Sequence, residues 1–280
     1  MPRTALEASV YLHHLHFCTP HPEALARWYG QVMDMDVEPI GDHLWWTSGP
    51  GRHVLFSKGK ARTLAHAGYA ARDAQSLAHL RERAEHAGIS AVCVNTPLFQ
   101  AGGFSVTDPD GNAIHFGLSL PQPAKRRKAL RGPIQHLTLA TLDVVALEDF
   151  YARKLGFEIS DRVVNDQGKV MTSFMRGNHE HHNLACFYQH RRGVDHHSYE
   201  AGEWNTIRDW ADHLAAHGIQ LFWGPGRHGP GNNLFIFIKD PDENWIEVSA
   251  ELEVVHDRPV KTWPHEERTL NLWGRGVLRA

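Results

Sequence analysis

The sequence predicts an α+β protein of two tandem domains. Each reads strand, helix, strands, helix, strands, which is two βαβββ modules forming a curved, partly closed sheet around a site. Three observations predict it. Segments of the first half recur in the second at nearly constant spacing, the mark of a duplicated unit. Apolar alternation switches to helical spacing at matching places in both halves. The 280 residues suit two small cores better than one, since single domains cluster near about 100–150 residues.

Taken in order, LHHLHFCT from Leu12 and IQHLTLAT from Ile134 are alternating strands. Amphipathic helices follow, over 23–35 and 143–155, with their Trp and Phe residues spaced for a core. Tyr29 and Tyr151 stand 122 residues apart, and the same offset relates His14 to His136. The second helices end alike, RERAEHAGI and ADHLAAHGI, with Gly88 and Gly218 as C-terminal stops. Their offset of 130 relates His66 to His196. TDPDGNAIHF and KDPDENWIEV are turns between strands, proline fixing φ and the Asx residues closing the turn. Their offset of 132 sets His115 against Glu247. A proline- and charge-rich link, residues 118–133, divides a first domain over 1–120 from a second over 134–252. A C-terminal extension over 253–280 is expected to pack back on the second domain through Trp263 and Trp273.

A formal net charge of −3 gives no basic excess for nucleic acid or an anionic membrane surface. The run Lys125–Lys128 sits among prolines and reads as a solvated linker. No signal-type apolar segment and no run of 18 apolar residues occurs, so no membrane span is expected. Three scattered cysteines, Cys18, Cys93 and Cys186, fit a reducing, cytoplasmic compartment. The unusual feature is 22 histidines, the commonest metal ligand.

His136 on the first strand of its domain, His196 on a middle strand and Glu247 on the last are 60 and 51 residues apart. Only a curved sheet gathers them. Two imidazoles and one carboxylate then occupy one face of a cation and leave positions open, the facial triad of non-heme Fe(II) oxygenases and the openness a catalytic site needs. The neighbouring His197 faces the other side of its strand and is the alternative to His196.

These residues, with the segments RGNHEHHNLACF, GVDHHSYE, GPGRHGPGNN and DPDENWIEV, resemble the vicinal oxygen chelate (glyoxalase-fold) superfamily, and within it the two-domain type I extradiol catechol dioxygenases. The resemblance covers most of the chain and is strongest in the second half. It implies Fe(II), less often Mn(II), held by His136, His196 and Glu247. It implies an acid–base role for His182, which precedes Asn183–Phe187, and a substrate hydrogen bond from His228. The ring pocket would include Phe237, Phe174 and Tyr199. It further implies a catecholic aromatic and O2 as substrates, ring opening to a semialdehyde or oxo acid, and a homo-oligomer. Phe237 stands where that family usually has tyrosine; it keeps the ring but cannot donate a hydrogen bond. Arg227, beside His228, is the candidate for a substrate carboxylate.

The equivalent first-half positions hold His14, His66 and His115, with His53 near the repeat position of His182. A three-histidine set would suit Zn(II); the alternative is a set of remnants bonded to neighbouring polar groups or filling a closed funnel. His16 shares the face of His14 and is a backup ligand. His179 and His181 are expected in solvent, and His21, His86, His190 and His217 on the surface. Three functions follow: an Fe(II) extradiol-type dioxygenase, a non-oxidative metal-dependent lyase, isomerase or hydrolase on the same scaffold, or an aromatic-ligand binder.

Overall fold

The computed structural model describes residues 3–121 and 130–279; the basic run Lys125–Lys128 lies outside them. The first domain comprises β1 (Tyr11–Thr19), α1 (Pro22–Val32), β2 (Asp36–Ile40), β3 (Leu44–Gly49), β4 (Arg52–Lys58), β5 (Thr63–Ala70), α2 (Ala74–His86), β6 (Val92–Cys93), β7 (Phe104–Thr107) and β8 (Ala113–Gly117). Its sheet order is β2-β3-β4-β1-β5-β8-β7-β6. The second comprises β9 (Ile134–Thr141), α3 (Val144–Glu148) running into a π-helical turn at Asp149–Lys154, β10 (Glu158–Val164), β11 (Val170–Arg176), β12 (Leu184–Tyr188), β13 (Gly193–Gly202), α4 (Trp204–Ala216), β14 (Trp223–Arg227), β15 (Leu234–Lys239) and β16 (Trp245–Ala250). Its order, β14-β15-β16-β13-β9-β12-β11-β10, is the first sheet's order read backwards, so the duplicated sequence makes a duplicated topology. One strand of the extension, β17 (Lys261–Pro264), adds to its edge in parallel with β10.

Local signals place these elements. Asp73 and Asp143 cap α2 and α3 by accepting from the Ser76 and Ala146 amides at 2.7 and 3.0 Å. Gly88 and Gly218 take φ of 75° and 71° after α2 and α4, the left-handed stop their sequence predicted. In both D-P-D turns the first aspartate accepts two backbone amides, Asp108 from Asp110 and Asn112, Asp240 from Asp242 and Asn244.

The two turns also stitch the domains together. Tyr29 of α1 donates to Asp240 Oδ2 at 3.1 Å, and Tyr151 of the π turn donates to Asp108 Oδ2 at 2.8 Å. Each domain's helix thus reaches into the other's turn. All eight residues of β9 are buried, because one face meets the seam and the other the second domain's cavity. A single apolar core spans both domains, while Phe174, Phe187, Trp223, Phe235 and Phe237 form a separate cluster beside the cavity. Trp263 anchors the extension by donating to Asp161 Oδ2 at 2.8 Å. Trp273 is half exposed, its ring 5.8 Å from that of Trp204. Among the described residues, no helix is long and apolar enough to cross a membrane.

Candidate metal centre

β9, β13 and β16 are neighbours in the curved sheet, and the pairing of β13 with both sets its ligands in register. Ser198 lies opposite His136 on one side and Glu247 on the other, so His196, two residues earlier, shares their face. His136 Nε2 stands 3.0 Å from Glu247 Oε2 and 3.4 Å from His196 Nε2, and His196 Nε2 stands 3.4 Å from Glu247 Oε2. All three residues are buried. Metal–ligand bonds of about 2.1 Å set neighbouring octahedral donors about 3 Å apart, so this set fits three positions on one face of a cation. Among the described residues, it is the one group of three whose ligand atoms all lie within 4.8 Å of one another.

The charges agree with a cation site. Burial alone would raise the Glu247 carboxyl, but hydrogen bonds from His136, His196 and His228 hold it well below the usual range. Burial lowers His136, against the pull of Glu247. His196 is raised despite burial, because Asp195 and Glu247 both favour its charged form. The other Glu247 oxygen accepts from Asn233 Nδ2 at 3.1 Å. Asp195 Oδ1 lies 2.5 Å from His196 Nδ1, which leaves Nε2 for the cavity, the support that metal-binding histidines usually have.

The cavity is small and is lined by the triad and by Phe174, His182, Trp223, His228, Phe237, Leu270 and Arg279, among others. His182 packs 4.3 Å from the His136 ring and 5.0 Å from that of Phe174. Its Nδ1 meets His181 Nδ1 at 2.9 Å, and His181 Nε2 lies 3.1 Å from Asp161 Oδ2. The nearby Asp161 carboxylate favours the tautomer with its proton on His181 Nε2, which leaves His181 Nδ1 to accept from the His182 Nδ1–H. The His182 Nε2 lone pair is therefore free for cavity chemistry. Burial, reinforced by the neighbouring imidazoles His136 and His181, pushes His182 well below its ordinary value. His228 Nδ1 donates to the Leu270 carbonyl at 2.5 Å, and its Nε2 faces Glu247 Oε1 at 3.4 Å. Phe237 stacks on Trp223 at 4.9 Å and meets His196 edge-on at 5.3 Å.

Five expectations are corrected. Tyr199 does not line the cavity: strand alternation puts it with His197 on the opposite face, its ring 5.5 Å from that of His197. His197 likewise stacks near Phe17 and Tyr29 at the seam. His181 is fully buried, because the chain turns inward there to reach Asp161. Arg227 is drawn to Glu251 at 2.9 Å and does not line the cavity; the lining arginine is Arg279. His16 is held by Ser57 at 2.8 Å.

His14, His66 and His115 do converge. His14 Nε2 and His66 Nε2 are 3.1 Å apart, and His14 Nδ1 meets His13 Nδ1 at 3.0 Å. His115 stacks on His66 with ring centres 3.9 Å apart, and Phe99 packs 4.8 Å from His14. Gly68 leaves the room for His14: a Cβ there would lie 2.1 Å from its Cε1. His53 stacks on His13 at 5.0 Å.

Sequence reasoning missed Asp195, Asn233, Asp161 and Arg279. Of these only Asp195 carried a local signal, as a carboxylate next to a predicted ligand.

A sequence profile of the Glyoxalase/Bleomycin resistance protein/Dioxygenase superfamily matches residues 11–116 and 133–248. The chain is 27% identical to "Metapyrocatechase 2" of Cupriavidus necator, over 79% of this chain and 75% of that one. It is 23% identical to "Metapyrocatechase" of Geobacillus stearothermophilus, over 71% of this chain and 66% of that one. In fold it is similar to a Mn(II)-bound glyoxalase from Novosphingobium aromaticivorans, with TM-score 0.85, 23% identity and 99% and 93% of the two chains covered. An extradiol ring-cleaving dioxygenase from B. fuscum gives TM-score 0.80 at 18% identity, over 95% and 79%.

Proposed function

This chain belongs to the glyoxalase/bleomycin resistance protein/dioxygenase superfamily, and we propose that it is a metal-dependent extradiol-type dioxygenase that opens a catecholic ring with O2. The observation that carries this reading is the open-faced triad: His136 Nε2, His196 Nε2 and Glu247 Oε2 lie 3.0–3.4 Å apart on the wall of an aromatic-lined cavity. The named dioxygenase relatives support the reaction class. Those three residues would hold Fe(II), or Mn(II). The metal would supply a Lewis acid that acidifies a bound hydroxyl and a route for electrons between ring and O2.

The chain's own residues supply the rest. Phe174, Trp223 and Phe237 offer faces and edges to a planar ring. Leu270 and Thr269 of the extension close the cavity against water. His182, with its Nε2 lone pair inward and its Nδ1–H held by His181, takes a proton at Nε2 and returns it to a developing oxygen anion. His228 Nε2, fixed by the Leu270 carbonyl, stands where a substrate hydroxyl beside Glu247 would meet it. The same geometry suits a single-chain site; homo-oligomerisation stays a proposal drawn from the family.

Phe237 favours a second reading. With no phenolic hydroxyl at that wall, the site lacks one donor for an oxygen-bound substrate, which suits a non-oxidative lyase, isomerase or hydrolase. Oxygen uptake separates the two. Metal-free protein is reloaded anaerobically with Fe(II) and offered a panel of catechols in an oxygen electrode. Substrate-dependent uptake, absent in Glu247→Ala, is expected. No uptake from any catechol with iron bound transfers the assignment to the non-oxidative chemistry.

A further inference from the structure

The last residues of the chain reach the metal centre from behind. Arg279 lies 84 residues from Asp195, yet its Nε and NH2 groups approach the two Asp195 oxygens at 3.3 Å each. Both side chains are nearly inaccessible, at 7% and 3% exposure. The guanidinium sits over the Trp245, Trp223 and Phe187 rings at 4.7, 5.3 and 5.5 Å, and its NH1 donates to the Val277 carbonyl at 2.7 Å. Asp195 in turn accepts from Gln189 and holds His196 Nδ1. Nε, NH1 and NH2 each donate a bond within the protein, to Asp195 and Val277, so Arg279 is held on a carboxylate of this protein at the wall of the cavity it lines.

We propose that Arg279 is a positioning residue for the metal: it holds Asp195 against His196, so that the C-terminal extension is a working part of the metal centre. The inference rests on the triad being a metal site. The reasoning is electrostatic and geometric. A buried carboxylate without its cation carries a large desolvation cost and would turn toward whatever donor or water it could reach. Asp195 has rotamers that reach away from His196; the planar fork of an arginine, engaging both oxygens, selects the one that does not. His196 then keeps Nδ1–H on Asp195 and Nε2 on the cavity side. Partners of this kind, one shell beyond the ligands, are worth about 10–100-fold in metal affinity.

The extension is anchored independently at several points: Trp223 donates to the Arg275 carbonyl at 2.9 Å, and the Leu272 amide to the Arg227 carbonyl at 2.7 Å. Loss of the Arg279 side chain should therefore leave the extension docked. The test is Mn(II) and Fe(II) affinity by anaerobic chelator competition, with no turnover assay needed. Arg279→Ala is expected to weaken binding about 10-fold or more, Arg279→Lys by less, and Asp195→Asn about 10–100-fold. The double variant should be no weaker than Asp195→Asn alone, because both act along one path. Trp273→Ala, at a half-exposed site on the same extension, is the control that keeps full affinity. Unchanged affinity in Arg279→Ala, or additive losses in the double variant, overturns the inference and leaves the metal centre standing. No metal bound by the unsubstituted protein overturns both.

Discussion

In the second domain β9, β13 and β16 carry His136, His196 and Glu247; in the first, β1, β5 and β8 carry His14, His66 and His115. The scaffold and the strand positions are the same, and the outcomes differ. Glu247 stands between two imidazoles and balances their charge, so three ligand atoms can face one point. An imidazole at the third position brings no charge, and it packs flat on its neighbour, as His115 does on His66. Phe99 fills the space beside His14 that stays hollow beside His136. The first domain instead becomes a chain of buried imidazoles, His13 to His14 to His66. One carboxylate thus separates a cation site from a stack of neutral rings.

That contrast has its largest consequence in acid. Burial lowers His13 and His16 to about 4, burial with the charge of His16 lowers His115 to about 4, and burial with His115 and His16 lowers His66 to about 2. Their folded values lie below the unfolded value of about 6.5. They therefore contribute stability above pH 6.5 that is lost as pH falls toward 4. Discounted for the part-exposed His16 and His115, the loss between pH 7.5 and 5 is roughly 4–6 kcal/mol, a large part of a typical stability. Urea midpoints of metal-free protein across that range should fall steeply, and His66→Gln should flatten the slope. A level midpoint would mean the histidines of the first domain are not buried and neutral.

The next contrast pairs His182 with His53, near-equivalent in the repeat. His182 meets the cavity and the buried His181; His53 stacks on His13. His182→Ala should keep bound metal and cut turnover at least ~10²-fold, the lower range for a lost acid–base group. His53→Ala should keep both. Equal effects from the two, measured as turnover per bound metal, would erase the proposed division of labour.

The repeat and the triad positions were legible because each rests on local spacing: alternation within a strand, a helix stop, a D-P-D turn; His182 came only through the family resemblance of the segment that follows it. Tyr199 was misplaced, although strand alternation alone puts it, two residues from His197, on the face away from His196. Asp195 was harder. Simple alternation puts it opposite His196, but the β13–β9 register shifts between Val194 and His196, and the irregularity lets the carboxylate reach its neighbour's ring. Arg279 and Asp161 were beyond reach, since no periodicity links the last residues of the chain or the outer strand β10 to a site residue tens of positions away.

The seam is where the two halves remain alike, and it yields the smallest effect. Tyr29–Asp240 and Tyr151–Asp108 are the same bond made twice. Burial raises Asp240 to about 6, partly offset by donors that include Tyr29. Its folded value lies above the unfolded value of about 3.8, so its proton stabilises the fold at low pH and that contribution is gone once pH rises through 6. Above pH 6 the ionised carboxylate relies on the Tyr29 hydroxyl; below it, the protonated carboxyl relies on it less. Tyr29→Phe should cost about 1.5–3 kcal/mol at pH 7.5, the range for a hydrogen bond to a charged group, and less at pH 5.5. Tyr151→Phe should cost a similar amount at pH 7.5. Chemical denaturation at both pH values reads this directly. A cost for Tyr29→Phe that is level with pH would mean that Asp240 keeps its charge without the tyrosine, while a large difference between the two variants at pH 7.5 would show that the seam, like the sites, has lost its symmetry.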